Sequence, residues 1–90
     1  MRILQSRIFK MSVKRLHPNQ KKDLDGAVKT IADNPQSGEA KVGDLAGVRV
    51  HKFKMAKQLA LLAYEWNEPE DAIILLALGG HENFYRDLKK

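Results

Sequence analysis

Ninety residues make one domain, expected over residues 1–90, because a second independent core would need most of a further chain of this size. No apolar run is long enough to cross a membrane, the start MRILQSRIFK lacks the apolar stretch of a signal peptide, and the absence of cysteine removes disulfides, thiolate catalysis and cysteine zinc sites together, which fits a reducing, cytoplasmic setting. Lysine and arginine exceed the acids by five, a balance that favours anionic partners: nucleic acid, an acidic protein segment or a phosphorylated ligand.

In chain order, RILQ at residues 2–5 reads as a short strand. Residues 6–16, SRIFKMSVKRL, place Phe9, Val13 and Leu16 on one face of a helix. His17-Pro18-Asn19 interrupts it, since a residue before proline is pushed out of the helical region, and Asn19 is the expected N-cap of a second helix. In that second helix Leu24, Ala27, Val28 and Ile31 form an apolar stripe, and Asn34-Pro35 ends it. The two helices make a hairpin. The polar, glycine-rich stretch NPQSGEAKVGD at 34–44 separates this helical half from a strand-like half.

Three apolar runs follow, at 48–55, 59–66 and 72–78. The short links between them imply antiparallel neighbours. The second and third runs are nearly continuous in apolar residues and read as central strands covered on both faces. After Gly79-Gly80 a closing helix is expected from His81 to about Leu88, with Phe84 and Leu88 toward the core. The expected order is β, α-α, β-β-β, α. That is an α+β domain in which an N-terminal helical hairpin packs on an antiparallel sheet of three to four strands, with a C-terminal helix.

Two places can carry chemistry. On the strand VRVHKFKM side chains alternate between faces, so Lys52 and Lys54 share the open side while His51, Phe53 and Met55 share the other. Two lysines on one strand face suit a phosphate backbone, although lysine also guards exposed edge strands. His51, alternating with Phe53, reads as a partly buried structural residue. On the closing helix His81 and Tyr85 are i and i+4 and share a face. Histidine is the natural acid or base near neutrality, and tyrosine can orient a phosphate or stack on a base. Capping by His81 and surface packing by Tyr85 would produce the same spacing. Glu82 and Arg86 repeat it, as a surface ion pair or with Arg86 free to reach a phosphate. Arg49, on the lysine strand, is a further phosphate-binding candidate. The scattered histidines give no metal site, and Gly79-Gly80 lacks the longer glycine fingerprint of a nucleotide loop, so no metal or cofactor is expected.

The segments GDLAGVRVHKFKM, QLALLAYEW and IILLALGGHENFYRDLKK resemble the RelE/ParE superfamily of bacterial type II toxin–antitoxin toxins, in its ParE-like branch with the HENFYRDLK ending. The resemblance covers nearly the whole chain. It implies the same order of elements on a twisted antiparallel sheet, and an activity of one of two classes: cleavage of mRNA on the ribosome, which inhibits translation, or non-enzymatic inhibition of DNA gyrase. It also implies neutralisation by a cognate antitoxin. Carried over by position, Lys52 and Lys54 resemble the basic pair that the nucleases keep on their second strand, and Tyr85 their closing-helix tyrosine. His81 and Leu61 stand near places where those nucleases carry arginines. The expected function is therefore an mRNA endoribonuclease in which His81 handles a proton. Tyr85 orients the phosphate, Lys52 and Lys54 hold it and its developing charge, and Arg86 and Arg49 assist binding. The gyrase inhibitor is the alternative.

Overall fold

The computed structural model describes residues 1–80. The chain opens with β1 (Arg2–Gln5), followed by α1 (Arg7–Lys14) and α2 (Pro18–Asp33). Then come a two-residue strand β2 (Glu39–Ala40), a 3-10 turn at Gly43–Leu45, and the long strands β3 (Arg49–Met55), β4 (Gln58–Asn67) and β5 (Ala72–Gly79). All lie in one sheet of order β1-β5-β4-β3-β2. The three apolar runs form the expected meander, and β4 and β5 are central. The sheet is larger than expected, and mixed. β1 joins it in parallel against β5, with Arg2 opposite Ala72 and Gln5 opposite Leu75, and β2 adds a short antiparallel edge beside β3.

The turn from β1 into α1 is fixed by Ser6. Its hydroxyl accepts from the Phe9 amide at 3.0 Å and donates to the Leu76 carbonyl at 2.6 Å, while its own amide donates to Leu75 O at 2.9 Å. One residue thus caps the helix and pins the corner to β5. The second helix begins earlier than expected. Its N-cap is His17, not Asn19, and Pro18 takes the first helical position, where a missing N–H costs nothing. Gln20 Oε1 accepts from the His17 amide at 2.8 Å, the reciprocal half of a capping box.

Two apolar clusters occupy the two sheet faces. On one, Phe9 of α1 and Leu24, Ala27 and Ile31 of α2 cover Leu62, Tyr64, Ile73 and Leu75. On the other, Val48, Val50, Leu61, Ala63 and Ala77 form a smaller cluster with Leu45 and Leu76 at its margin. A bulge lets β5 serve both. Ala63 pairs with Ala77 but Tyr64 pairs with Leu75, so Leu76 is an extra residue and the parity of the strand flips there. Ile73 and Leu75 therefore face the helices, while Ala77 faces away. The β3–β4 hairpin turns on Ala56 and Lys57, both at positive φ as a two-residue primed turn demands, and Asp23 of α2 accepts from the Ala56 amide at 2.8 Å.

Candidate functional site

The strand β3 presents the alternation its sequence promises. Lys52 and Lys54 are exposed, while Phe53 and Met55 are partly buried against the helix-covered core. Lys52 shares the opposite face with Val50, of the second cluster. Register extends this row across the sheet: Lys52 lies opposite Leu61 of β4, and Leu61 lies opposite Gly79 of β5. Leu61 is 1% exposed, so the cross-strand neighbour of Lys52 is buried hydrocarbon. One row thus links the lysine strand to the end of β5.

The short strand β2 brings two residues that the sequence reading passed over. Glu39 pairs in register with Val50, one step from Lys52 on the same face. Lys41 Nζ lies 2.7 Å from Glu39 Oε2. That hydrogen bond and the Lys41 charge, with a further contribution from Lys52, hold the Glu39 carboxyl below the ordinary carboxylate range and so keep it ionised. The face is therefore a mixed patch: a carboxylate set among lysines. A two-residue strand has no periodicity to read, but the i, i+2 spacing of Glu39 and Lys41 was a usable sign that they share a face.

What holds β2 in place is buried. Tyr64 is fully buried, and its hydroxyl donates to Pro35 O at 2.7 Å and accepts from the Gly38 amide at 2.9 Å. A side chain at position 38 would collide with that ring, whose hydroxyl would lie 2.6 Å from a Cβ there. Arg49 Nη1 donates to Gln36 O at 3.2 Å and Gly38 O at 2.9 Å. Arg49 thus clamps the 36–38 loop, and at least this nitrogen is committed to backbone carbonyls rather than turned to the lysine face.

His51 lies on the opposite side of β3 from the lysines, stacked on Phe53 with ring centroids 5.9 Å apart. Burial pushes its imidazole below the usual histidine range and favours the neutral ring. Ser37, Glu39, Val50, His51 and Lys52 together line an open depression of about 420 Å³ where β2 stops and the edge of β3 becomes free. A second concavity, about 240 Å³, lies where Arg15, Leu16 and Gln20 approach Met55, Leu59 and Gly79-Gly80. Among the described residues no three histidine, aspartate or glutamate side chains gather closely enough to hold a metal ion, and no helix is long and apolar enough to cross a membrane. His81, Tyr85 and Arg86, with Phe84 and Leu88, lie outside the described residues. The structure thus brings Lys52 and Lys54 onto one face with Glu39 and Lys41, and turns Arg49 to the loop.

Comparison with known proteins agrees with this architecture. The sequence profile of the ParE-like toxin of type II bacterial toxin–antitoxin systems matches residues 3–89. The fold is similar to that in the intact E. coli RelBE toxin–antitoxin complex, with a TM-score of 0.73 over 90% of this chain and 96% of that one at 12% identity. The isolated E. coli RelE toxin superposes with a TM-score of 0.71 over 90% of this chain and 84% of its own, also at 12% identity. The solution structure of HP0892, a conserved hypothetical protein of Helicobacter pylori, gives 0.57 over 98% of both chains at 19% identity. At these identities the likeness is one of fold. No curated protein matches the chain significantly.

Proposed function

The chain belongs to the ParE-like toxins of type II bacterial toxin–antitoxin systems, and from that premise we propose that it is an mRNA endoribonuclease that inhibits translation on the ribosome. One observation carries the reading: exposed Lys52 and Lys54 stand on a sheet face whose cross-strand row ends at Gly79, with only Gly80 between it and His81 in the chain.

RNA supplies its own nucleophile, the 2′-hydroxyl. The protein has only to align it with phosphorus, move two protons and stabilise the charge that develops between. Lys52 and Lys54 hold the scissile phosphate and its charge, with Arg86 assisting. His81 transfers a proton near neutral pH, and Tyr85 orients the phosphate or stacks on a base. Glu39, ionised and bonded to Lys41, sets a carboxylate on the lysine face whose negative charge an incoming phosphate must meet. A cognate antitoxin with an acidic segment would compete for the same lysines; that a similar fold occurs in the E. coli RelBE toxin–antitoxin complex supports an antitoxin partner.

A second reading, non-enzymatic inhibition of DNA gyrase, is favoured by Leu61. A buried leucine opposite Lys52 adds no positive charge for a transition state at the place where the nucleases it resembles carry an arginine. The experiment that separates the two adds the purified protein to a defined translation system and maps new 5′ ends on the mRNA, with a gyrase supercoiling assay in parallel. Under the nuclease reading new ends appear with the wild-type protein and vanish with His81→Ala. Intact mRNA together with blocked supercoiling would overturn it in favour of gyrase.

A further inference from the structure

Among the described residues that line the concavity beside Gly79-Gly80, the charged one is an arginine. Of the four arginines among the described residues, Arg2 is paired with Glu70, and Arg49 is committed to carbonyls of the 36–38 loop. Arg7 and Arg15 are exposed and form no ion pair among the described residues. Of these two, Arg15 lines the concavity. It is the C-cap of α1, and its amide donates to Ser12 O and Val13 O, so its backbone is held while its guanidinium stays open to a ligand.

Two side-chain amides share the lining. Gln20 has given its carbonyl oxygen to the His17 amide. Gln58, exposed at the start of β4, has no side-chain hydrogen bond among the described residues, and its amide offers two donors and an acceptor. Leu16, Met55 and Leu59 supply apolar walls. A volume of about 240 Å³ falls below the roughly 300–1,000 Å³ of pockets for drug-sized ligands, and suits a single base. A single strand can present one, because its bases splay out; a duplex keeps them stacked.

The concavity also adjoins the lysine face. Leu59 is 45% exposed and is the cross-strand partner of Lys54, so their Cβ atoms lie roughly 5 Å apart. Gly80, on its rim, leads directly into His81 in the chain. We infer, in an assignment that rests on the nuclease reading, that the concavity is a subsite for one nucleotide beside the scissile phosphate of single-stranded RNA. Arg15 binds the phosphate of that nucleotide, and Gln58 reads the edge of its base. Leu16, Met55 and Leu59 cover the face of the ring.

Binding of a short 2′-O-methyl RNA, which has no free 2′-hydroxyl and cannot be cut, separates the subsite from the chemistry. Arg15→Ala is expected to weaken binding about tenfold and to lower the log–log salt slope by roughly 0.7, the share of one phosphate contact on a single strand. Arg7→Ala removes an equal charge about 12 Å away along the same helix. At an ionic strength of about 0.1 M that change should weaken binding less than about twofold. Among 2′-O-methyl homopolymers of the four bases the wild type should show a preference, and Gln58→Ala should level it without moving the salt slope. Both side chains are exposed, so neither variant should shift the urea midpoint. An Arg15→Ala that binds as well as Arg7→Ala would overturn the inference, as would a wild type without base preference or a preference that survives Gln58→Ala. A lower urea midpoint in these variants with unchanged affinity would also overturn it, and would give the concavity to residues 81–90 of the chain itself. A wild type that cut no mRNA yet bound this RNA through Arg15 and Gln58 would sink the nuclease reading and leave the subsite standing.

Discussion

The five-stranded sheet has two edges, and their protection differs. At one, β3 is covered over its first residues by the two-residue β2 and carries Lys52 and Lys54 where β2 has ended. Short cover and lysine keep another strand away, since pairing would bring two desolvated charges together. At the other edge β1 has neither device, and its ionic groups are paired with Glu70 and Asp71. One edge offers lysines to anions; the other pairs Arg2 and the terminal ammonium with Glu70 and Asp71, beside a helix whose Arg7 and Lys10 are exposed. The difference teaches that the charge of this small protein is placed rather than spread, and that a net value of +5 says less than the position of four or five side chains.

The largest expected effect comes from stripping the basic edge. With Lys52→Ala and Lys54→Ala together, RNA cleavage should fall by ~10²–10³-fold, the usual result of removing groups that hold a developing charge. Folding stability should change by less than about 0.5 kcal/mol, because both side chains are exposed. Binding of single-stranded RNA by a cleavage-inactive form should also lose salt dependence, its log–log slope shrinking by roughly 1.4 for two lost phosphate contacts. Leu4→Lys sharpens the contrast: an exposed change at the far edge should leave cleavage unchanged. If it cut cleavage as deeply as the lysine pair does, the edges would not be independent.

A smaller effect is expected from loosening what holds β2 against β3. Tyr64→Phe removes the hydroxyl that joins Pro35 O and the Gly38 amide and leaves buried backbone groups without their partner. A loss of about 1–3 kcal/mol is expected, read as a lower urea midpoint at unchanged slope. A loss under about 0.5 kcal/mol, within the range of a neutral surface change, would mean that Arg49 alone holds the loop.

These residues also mark how far the sequence could be read. The helical stripe through Leu24, Ala27 and Ile31, and the three apolar runs, carry local periodicity, so both were legible. The place of β1 was not. Its partner is 70 residues away, and nothing in RILQ tells a parallel neighbour from an antiparallel one. The shift of the second N-cap from Asn19 to His17 turns on a backbone hydrogen bond to Gln20, a competition between two adequate caps that composition does not decide. Alternation along β3 gave the lysine face, because the strand is regular. It could not show that Glu39 would be laid beside Lys52, because that depends on a loop tied down by Tyr64 and Arg49. His81, Tyr85 and Arg86 rest on their spacing and on the family resemblance.

The smallest effect concerns His51, on the far side of the basic strand. Burial against Phe53 lowers its pKa below the ordinary 6.5, so the folded protein prefers the neutral ring. Between the folded and unfolded values the unfolded chain binds more protons, and stability therefore rises with pH. The contribution is fully present above about 6.5 and is lost as pH falls through the lower folded value. Glu39 acts in the same direction, but only in the more acidic window in which carboxylates titrate, so the two are separable by pH. Urea midpoints measured from pH 7.5 down to 5.5 should decline gently in the wild type and stay flatter in His51→Gln. An equal decline in both would remove His51 as the cause. The slope is expected to be small because the imidazole is only partly buried, and water screens much of its charge when it titrates.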